Sequence, residues 1–184
     1  MTPGPGSEGK ARLFAALDLP DRVRAALHSW RPSDPGLRGV GQESLHLTLA
    51  FLGWREQADA ERIGALVTGC AGPVRELEVG EPRWLPARRP RVLAVELRDG
   101  RGELEALQAR VSAALAGGAG YVPEKRQFLA HITVARVRRG AHPMPGELPV
   151  PPQLSFDGAA LTLYRSHLGA AGARYEPVAS AALG

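Results

Sequence analysis

Apolar and polar residues follow one another with two different periods along this chain, and each change of period marks an element boundary. Alternation at every second position, the signature of a half-buried strand, predicts a first strand over residues 12–17, closed by Asp18-Leu19-Pro20. Val23, Leu27 and Trp30 then share one face at helical spacing, which predicts a helix from about Pro20 that ends before Pro32, Pro35 and Gly36. A linker over residues 33–44 leads into a strand that begins at Leu45 and stops at Gly53. A second helix is predicted over residues 57–70 and is terminated by Gly72-Pro73.

The order then repeats. A strand over residues 91–95 matches the residues that start at Arg12, and a helix with Leu104, Leu107, Val111 and Leu115 on one face runs to Gly117-Gly118. A loop and another strand, residues 130–135, follow. Residues 143–152 are a proline-rich connection, and the chain closes with strands at 154–156, 159–164 and 174–178. Helices interleaved with strands, then a run of strands, predict an α+β fold with mainly antiparallel sheets. The repeat predicts a pseudo-twofold, two-lobed arrangement, with a cleft between two sheets and the helices outside.

The repeat carries chemistry. Leu45-His46-Leu47-Thr48-Leu49-Ala50 and Ala130-His131-Ile132-Thr133-Val134-Ala135 each place a histidine and a threonine two residues apart, so imidazole and hydroxyl project from one strand face while Leu47 and Ile132 point the other way. One such pair is an ordinary polar strand edge. Two pairs, in a chain of five histidines, predict a site in which two imidazoles flank one reacting group. The matched histidines are 85 residues apart and the matched arginines, Arg12 and Arg91, are 79 apart. His28, His142 and His167 have no such setting and are expected in solvent.

Composition narrows the classes. A chain of 184 residues can bury a stable interior as one domain, expected here over residues 11–184 behind a disordered Gly- and Pro-rich tail at 1–10. The longest apolar runs are too short for a bilayer and the start lacks a secretion signal, so cytoplasmic residence is expected; a monomer is the separate expectation for its assembly. The single cysteine, Cys70, forms no internal disulfide and continues the face of Ile63, Leu66 and Val67 as a small buried hydrophobe. The net charge of +4 is carried almost wholly by arginine, with lysine only at Lys10 and Lys125, and arginine offers phosphate a planar fork of donors. Neither motif strand contains the Cys, Asp or Glu that usually complete a zinc site, although Glu43 lies three residues before His46. Gly-x-Ser-x-Gly and P-loop patterns are absent.

These residues resemble the 2H phosphoesterases, a family defined by two His-x-Thr motifs, and within it the bacterial RNA 2′,3′-cyclic phosphodiesterases, also called 2′-5′ RNA ligases. The likeness runs through residues 12–20, 46–53, 131–136 and 161–166, and departs from the family pattern at Ala130, where proline is usual. It implies hydrolysis of RNA 2′,3′-cyclic phosphate ends, or of small cyclic nucleotides, to 2′-phosphates, together with reversible 2′-5′ joining, without cofactor or metal. It also implies His46 as the acid on the leaving oxygen and His131 as the base on water. Two imidazoles suit that proton transfer. Thr48 and Thr133 are expected to bind the phosphoryl oxygens, and Arg136 to reach them from the strand end. Phe51 and Phe128 are candidate base contacts, as is Trp54, with core packing the expected role of Phe51. Arg83, Arg88, Arg89 and Arg91, beside Trp84 in a predicted loop, and Arg138 with Arg139 are candidate counter-charges. The rival reading is a non-catalytic nucleotide- or RNA-binding module on the same fold.

Overall fold

The computed structural model describes residues 9–141, 148–169 and 172–184. Strand β1 (Lys10–Asp18) is followed by α1 (Asp21–Trp30), β2 (Leu37–Gly39), β3 (His46–Glu56), α2 (Ala60–Thr68), β4 (Leu77–Leu85), β5 (Val92–Asp99), α3 (Glu103–Ala119), β6 (His131–Val137), β7 (Ser155–Phe156), β8 (Ala160–Gly169) and β9 (Gly172–Ala182). Among the described residues these strands form one antiparallel sheet in the order β7-β4-β5-β6-β3-β1-β8-β9, with β2 paired to β6.

The two expected sheets are thus two halves of a single sheet. They meet at β3 and β6 through one register pair, Leu47 with Ile132. One face of the sheet packs a continuous core that includes Leu13, Leu17, Leu47, Leu93, Val95, Ile132 and Leu163, covered by Ile63 and Val67 of α2 and by Leu107, Val111 and Leu115 of α3. The other face is the one on which the His-x-Thr residues stand.

Several boundaries differ from the sequence reading. Lys10 already belongs to β1, and Gly9 accepts a backbone hydrogen bond from Gln57; the rest of the expected tail, like His142 and half of the proline-rich connection, lies outside the described residues. The 33–44 linker contains β2 and a short 3-10 turn. Arg83 and Trp84 sit in β4, not in a loop, because pairing with β5 supplies the order their local pattern does not. Helix α2 ends at Thr68, so Cys70 lies beyond it and is half-buried. His167 lies within β8, paired to Glu176 at 2.7 Å.

Gly117-Gly118 does not end α3. A Cβ on Gly118 would stand 2.6 Å from Leu66 Cδ1, so the glycine serves the close approach of α3 to α2 and the helix continues to Ala119, capped by Gly120 in the left-handed conformation. At the other end Asp99 accepts the backbone N–H groups of Leu104 and Glu105 at 2.8 and 3.3 Å. That carboxylate satisfies orphan donors and meets the positive end of the helix dipole.

Candidate active site

The pair Leu47–Ile132 sets the geometry of the cleft. Both side chains are fully buried, and the antiparallel register around them sets His46 across from Thr133 and Thr48 across from His131, all four on the opposite face. The two motifs therefore interdigitate, each histidine beside the other strand's threonine. The flanking strands are matched too: β1 pairs Asp18 with His46 and Ala16 with Thr48, while β5 pairs Glu96 with His131 and Ala94 with Thr133. Asp18 and Glu96 are 78 residues apart, one fewer than the match of Arg12 to Arg91 suggested. Side chains change face at every residue, so that one-residue slip would have turned all of β5 over.

A duplicated bulge brings in two further groups. The β1–β3 register shifts between Ala15 and Ala16 and leaves Leu49 without a partner; the β5–β6 register shifts between Leu93 and Ala94 and leaves Val134 so. An extra residue on one strand resets its alternation. Phe51 and Arg136, each five residues beyond a histidine and destined by simple alternation for the core, consequently share the histidines' face. Ala50 and Ala135 take the core positions in their place. Phe51 is 55% exposed, which overturns its expected role in core packing.

Each imidazole is tied back in the same way. His46 Nδ1 donates to the carbonyl oxygen of Ser44 at 2.8 Å, and His131 Nδ1 donates to that of Leu129 at 2.8 Å. This bond sets the tautomer and presents Nε2 to the cleft. In His46 that Nε2 accepts the Thr48 hydroxyl at 3.1 Å. Aromatic rings enclose His46, with the Phe14 centroid at 4.9 Å and the edge-on Tyr175 at 5.2 Å. Burial lowers its pKa from 6.5 to about 4; the Ser44 carbonyl opposes the change, and electrostatic repulsion from the side of Arg136 and His131 adds to it. His46 is neutral at pH 7 in the free protein.

Behind the rings, Asp18 accepts hydrogen bonds from Thr162 at 2.7 Å and Tyr164 at 2.8 Å. Burial raises the Asp18 pKa against those two bonds, and burial together with Asp18 raises that of Tyr164. Tyr164 in turn stacks on Phe14 at 5.3 Å. This support was missed by sequence reasoning, although Thr162 and Tyr164 alternate in the manner of the two motifs. Across the pseudo-twofold, Glu96 is held by Arg83 at 2.6 Å.

Two cavities share a wall made of Thr48, Phe51, His131, Thr133 and Arg136. The first, ≈ 350 Å³, adds His46, Phe14, Tyr175, Arg12 and Arg38. The second, ≈ 770 Å³, adds Leu85, Val92, Tyr121, Phe128 and Leu129. Their difference follows from the pairing. Phe14 opposite Tyr164 on one side corresponds to Val92 opposite Leu85 on the other, and short aliphatic side chains leave open what the rings fill. Of the remaining predicted arginines, Arg91 lines the second cavity, and Arg138 Nε is engaged with the Leu37 carbonyl at 3.2 Å. Arg88, Arg89 and Arg139 line neither. Among the described residues no three His, Cys, Asp or Glu side chains cluster as a metal site.

Comparison with known proteins agrees over nearly the full length. The family model described as the 2′-5′ RNA ligase superfamily matches residues 19–170. The chain is 34% identical over 178 residues to the RNA 2′,3′-cyclic phosphodiesterase of Escherichia coli (strain K12), covering 91% of this chain and 93% of that one. It is 33% identical over 174 residues to the protein of the same name from Thermus thermophilus, covering 89% and 86%. Among solved structures, one from Thermus thermophilus has a TM-score of 0.80 at 29% identity, covering 94% of this chain and 97% of that one. The structure of Escherichia coli LigT complexed with 3′-AMP has a TM-score of 0.75 at 28% identity, covering 95% and 98%.

Proposed function

Because the chain belongs to the 2′-5′ RNA ligase superfamily, we propose that it opens 2′,3′-cyclic phosphates at RNA ends, with His46 and His131 as the proton-transfer pair, leaving a 2′-phosphomonoester. The observation that carries this reading is the interdigitation of two histidines and two threonines on one strand face, with both Nδ1 atoms tied back to main-chain carbonyls. These bonds present each Nε2 to the cleft from neighbouring strands, so that one nitrogen can stand on either side of a phosphorus bound between them. That is the arrangement an in-line displacement at phosphorus requires.

In this reading His131 Nε2 takes a proton from water as its oxygen attacks phosphorus, and His46 Nε2 delivers a proton to the departing 3′ oxygen. One proton is taken and one given, so the step balances without a further group. Thr48, Thr133 and Arg136 donate to the phosphoryl oxygens where charge builds up. His46 is neutral in the free protein, and an arriving phosphate anion favours its imidazolium form. Binding of substrate thus creates the acid. Phe51 offers a face for the terminal base from the shared wall, and Phe128 a second contact within the larger cavity. The chain is read as a monomer acting on RNA in the cytoplasm; among the described residues no helix is long and apolar enough to cross a membrane.

The two cavities on either side of the reacting groups favour a second use of the same site. A ribose 5′-hydroxyl that replaces water as the nucleophile would give a 2′-5′ linkage through the same proton transfers. A non-catalytic binding module has no need of both imidazoles. Incubation of the purified protein with a short RNA ending in a 2′,3′-cyclic phosphate, with chelator present, should yield a 2′-phosphate terminus. An unaltered cyclic end would leave the binding module as the reading.

A further inference from the structure

The cleft face of β3 extends past the reacting groups. A second register shift, between Leu13 and Phe14 of β1, leaves Leu52 without a partner and sets Trp54 opposite Arg12. Directly opposed residues of an antiparallel pair share a face, and Arg12 lines the ≈ 350 Å³ cavity beside His46. Trp54 therefore stands on the catalytic face. Gly53, at φ +70°, supplies the left-handed residue this bulge needs. Strand β6 pairs with β5 through a single register shift and has no second one, so the extension breaks the pseudo-twofold and belongs to one end of the cleft only.

The outcome is unusual for a folded surface. Phe51 and Trp54 are 55% and 52% exposed and follow each other along one strand face, with Arg12 opposite Trp54 on the neighbouring strand. Core packing does not explain rings left in water, and a protein-binding patch does not call for an arginine in the wall of the cavity that holds both histidines. Aromatic faces in series beside a cation are the means by which single-stranded nucleic acid is held without regard to sequence, the rings stacking bases and the cation meeting the backbone. The β1 partners of Phe51 and Trp54 are two strand steps apart, about 7 Å, so one base on each ring is compatible with a single extended strand.

Resting on the proposed function above, we infer that the cleft has a second nucleotide subsite on β3: with the terminal base of the RNA on Phe51, the nucleotide 5′ to it stacks on Trp54 and the phosphodiester between them is bound by Arg12. Trp54 contributes nothing to the terminal nucleotide and acts only on the chain behind it.

The test compares adenosine 2′,3′-cyclic phosphate with the di- and trinucleotides that end in the same group. In the unaltered protein kcat/KM should rise from mono- to dinucleotide by roughly 5- to 150-fold, the range for one base stacked on an aromatic side chain, and change little with the third nucleotide. Trp54→Ala should abolish that rise and leave the mononucleotide value within about twofold, while Trp54→Phe should restore most of it. Arg12→Gln should lower the dinucleotide value and reduce its salt dependence by about one phosphate contact. Equal rates for mono- and dinucleotide in the unaltered protein, or equal losses on both substrates in Trp54→Ala, would overturn the inference while mononucleotide hydrolysis still supports the proposed function. Should no substrate be hydrolysed, that function fails by itself. Calorimetric binding of 3′-AMP and of the dinucleotide ApAp then decides the inference, which requires a dinucleotide advantage that Trp54→Ala removes.

Discussion

His46 has to work through Nε2, since Nδ1 is held by the Ser44 carbonyl and rings close off the other sides. The same enclosure that positions it also holds its pKa at about 4, so an acid role depends on the substrate. Titration of the protein and of His46→Gln with 3′-AMP near pH 6, in buffers of different ionisation enthalpy, should show greater proton uptake on binding in the unaltered protein, the ionisation of the phosphate itself cancelling in the difference. Binding without that greater uptake would reverse the assignment and make His46 the base. The same logic separates two pH profiles: kcat/KM, which reports the free protein, should show a His46 limb near pH 4, and kcat, which reports the complex, should show it displaced upward. Thr48→Ala and Thr133→Ala should each lower kcat by about 100- to 1000-fold, the range for a lost donor to developing charge, with far-UV circular dichroism unchanged. Turnover unaffected in both would reduce the hydroxyls to strand packing.

At the scale of elements, the two bulges matter more than any single contact. Leu49 and Val134 shift the alternation of β3 and β6 by one residue, and only for that reason do Phe51 and Arg136 stand beside the histidines. Helix α2 supports this sheet from behind by coming unusually close to β9. A Cβ on Gly64 would stand 2.8 Å from the Cβ of Ala179, a contact between short, inflexible groups. Gly64→Ala gains helix propensity, but the strain of overpacking, about 1–3 kcal/mol, is the larger effect. Denaturant unfolding should show a net loss of stability. Activity below the unfolding transition should remain, because α2 covers the face away from the cleft.

For the whole molecule, the enclosure of His46 has a thermodynamic consequence. Its folded pKa lies below the unfolded value of 6.5, so between about pH 6.5 and 4 the unfolded chain binds a proton that the folded protein refuses. Stability therefore falls as pH falls through that window, by about 3 kcal/mol in all. Asp18 works in the opposite sense, since burial raises its pKa and its protonation at low pH favours the fold. The difference in unfolding free energy between the unaltered protein and His46→Gln, followed from pH 7 to 4, isolates the histidine. It should change across the window, and parallel curves would show that His46 is solvated in the folded state. Metal chemistry is tested on the intact protein as well: RNA 2′,3′-cyclic phosphate hydrolysis should continue undiminished in excess chelator, and rescue by a divalent ion would contradict the two-histidine step.

Local pattern was sufficient for the strands that carry the motifs, the three helices, the α+β class and the identity of both His-x-Thr pairs. In each case neighbours in sequence bear the signal, as alternation or as helical spacing. It was insufficient wherever a partner strand decides. The 79-residue match of Arg12 to Arg91 became 78 in the paired sheet, β4 took Arg83 and Trp84 out of their predicted loop, and two sheets proved to be one. A bulge is a mismatch between two strands and leaves no mark in either alone, which is why Phe51 was expected in the core. Asp18 meets Thr162 and Tyr164 from more than 140 residues away, and the His46 pKa arises from rings on β1 and β9. Which residues could do the chemistry was written in short segments of the chain; which way they face, and in which charge state, was decided by long-range strand pairing and the burial it imposes.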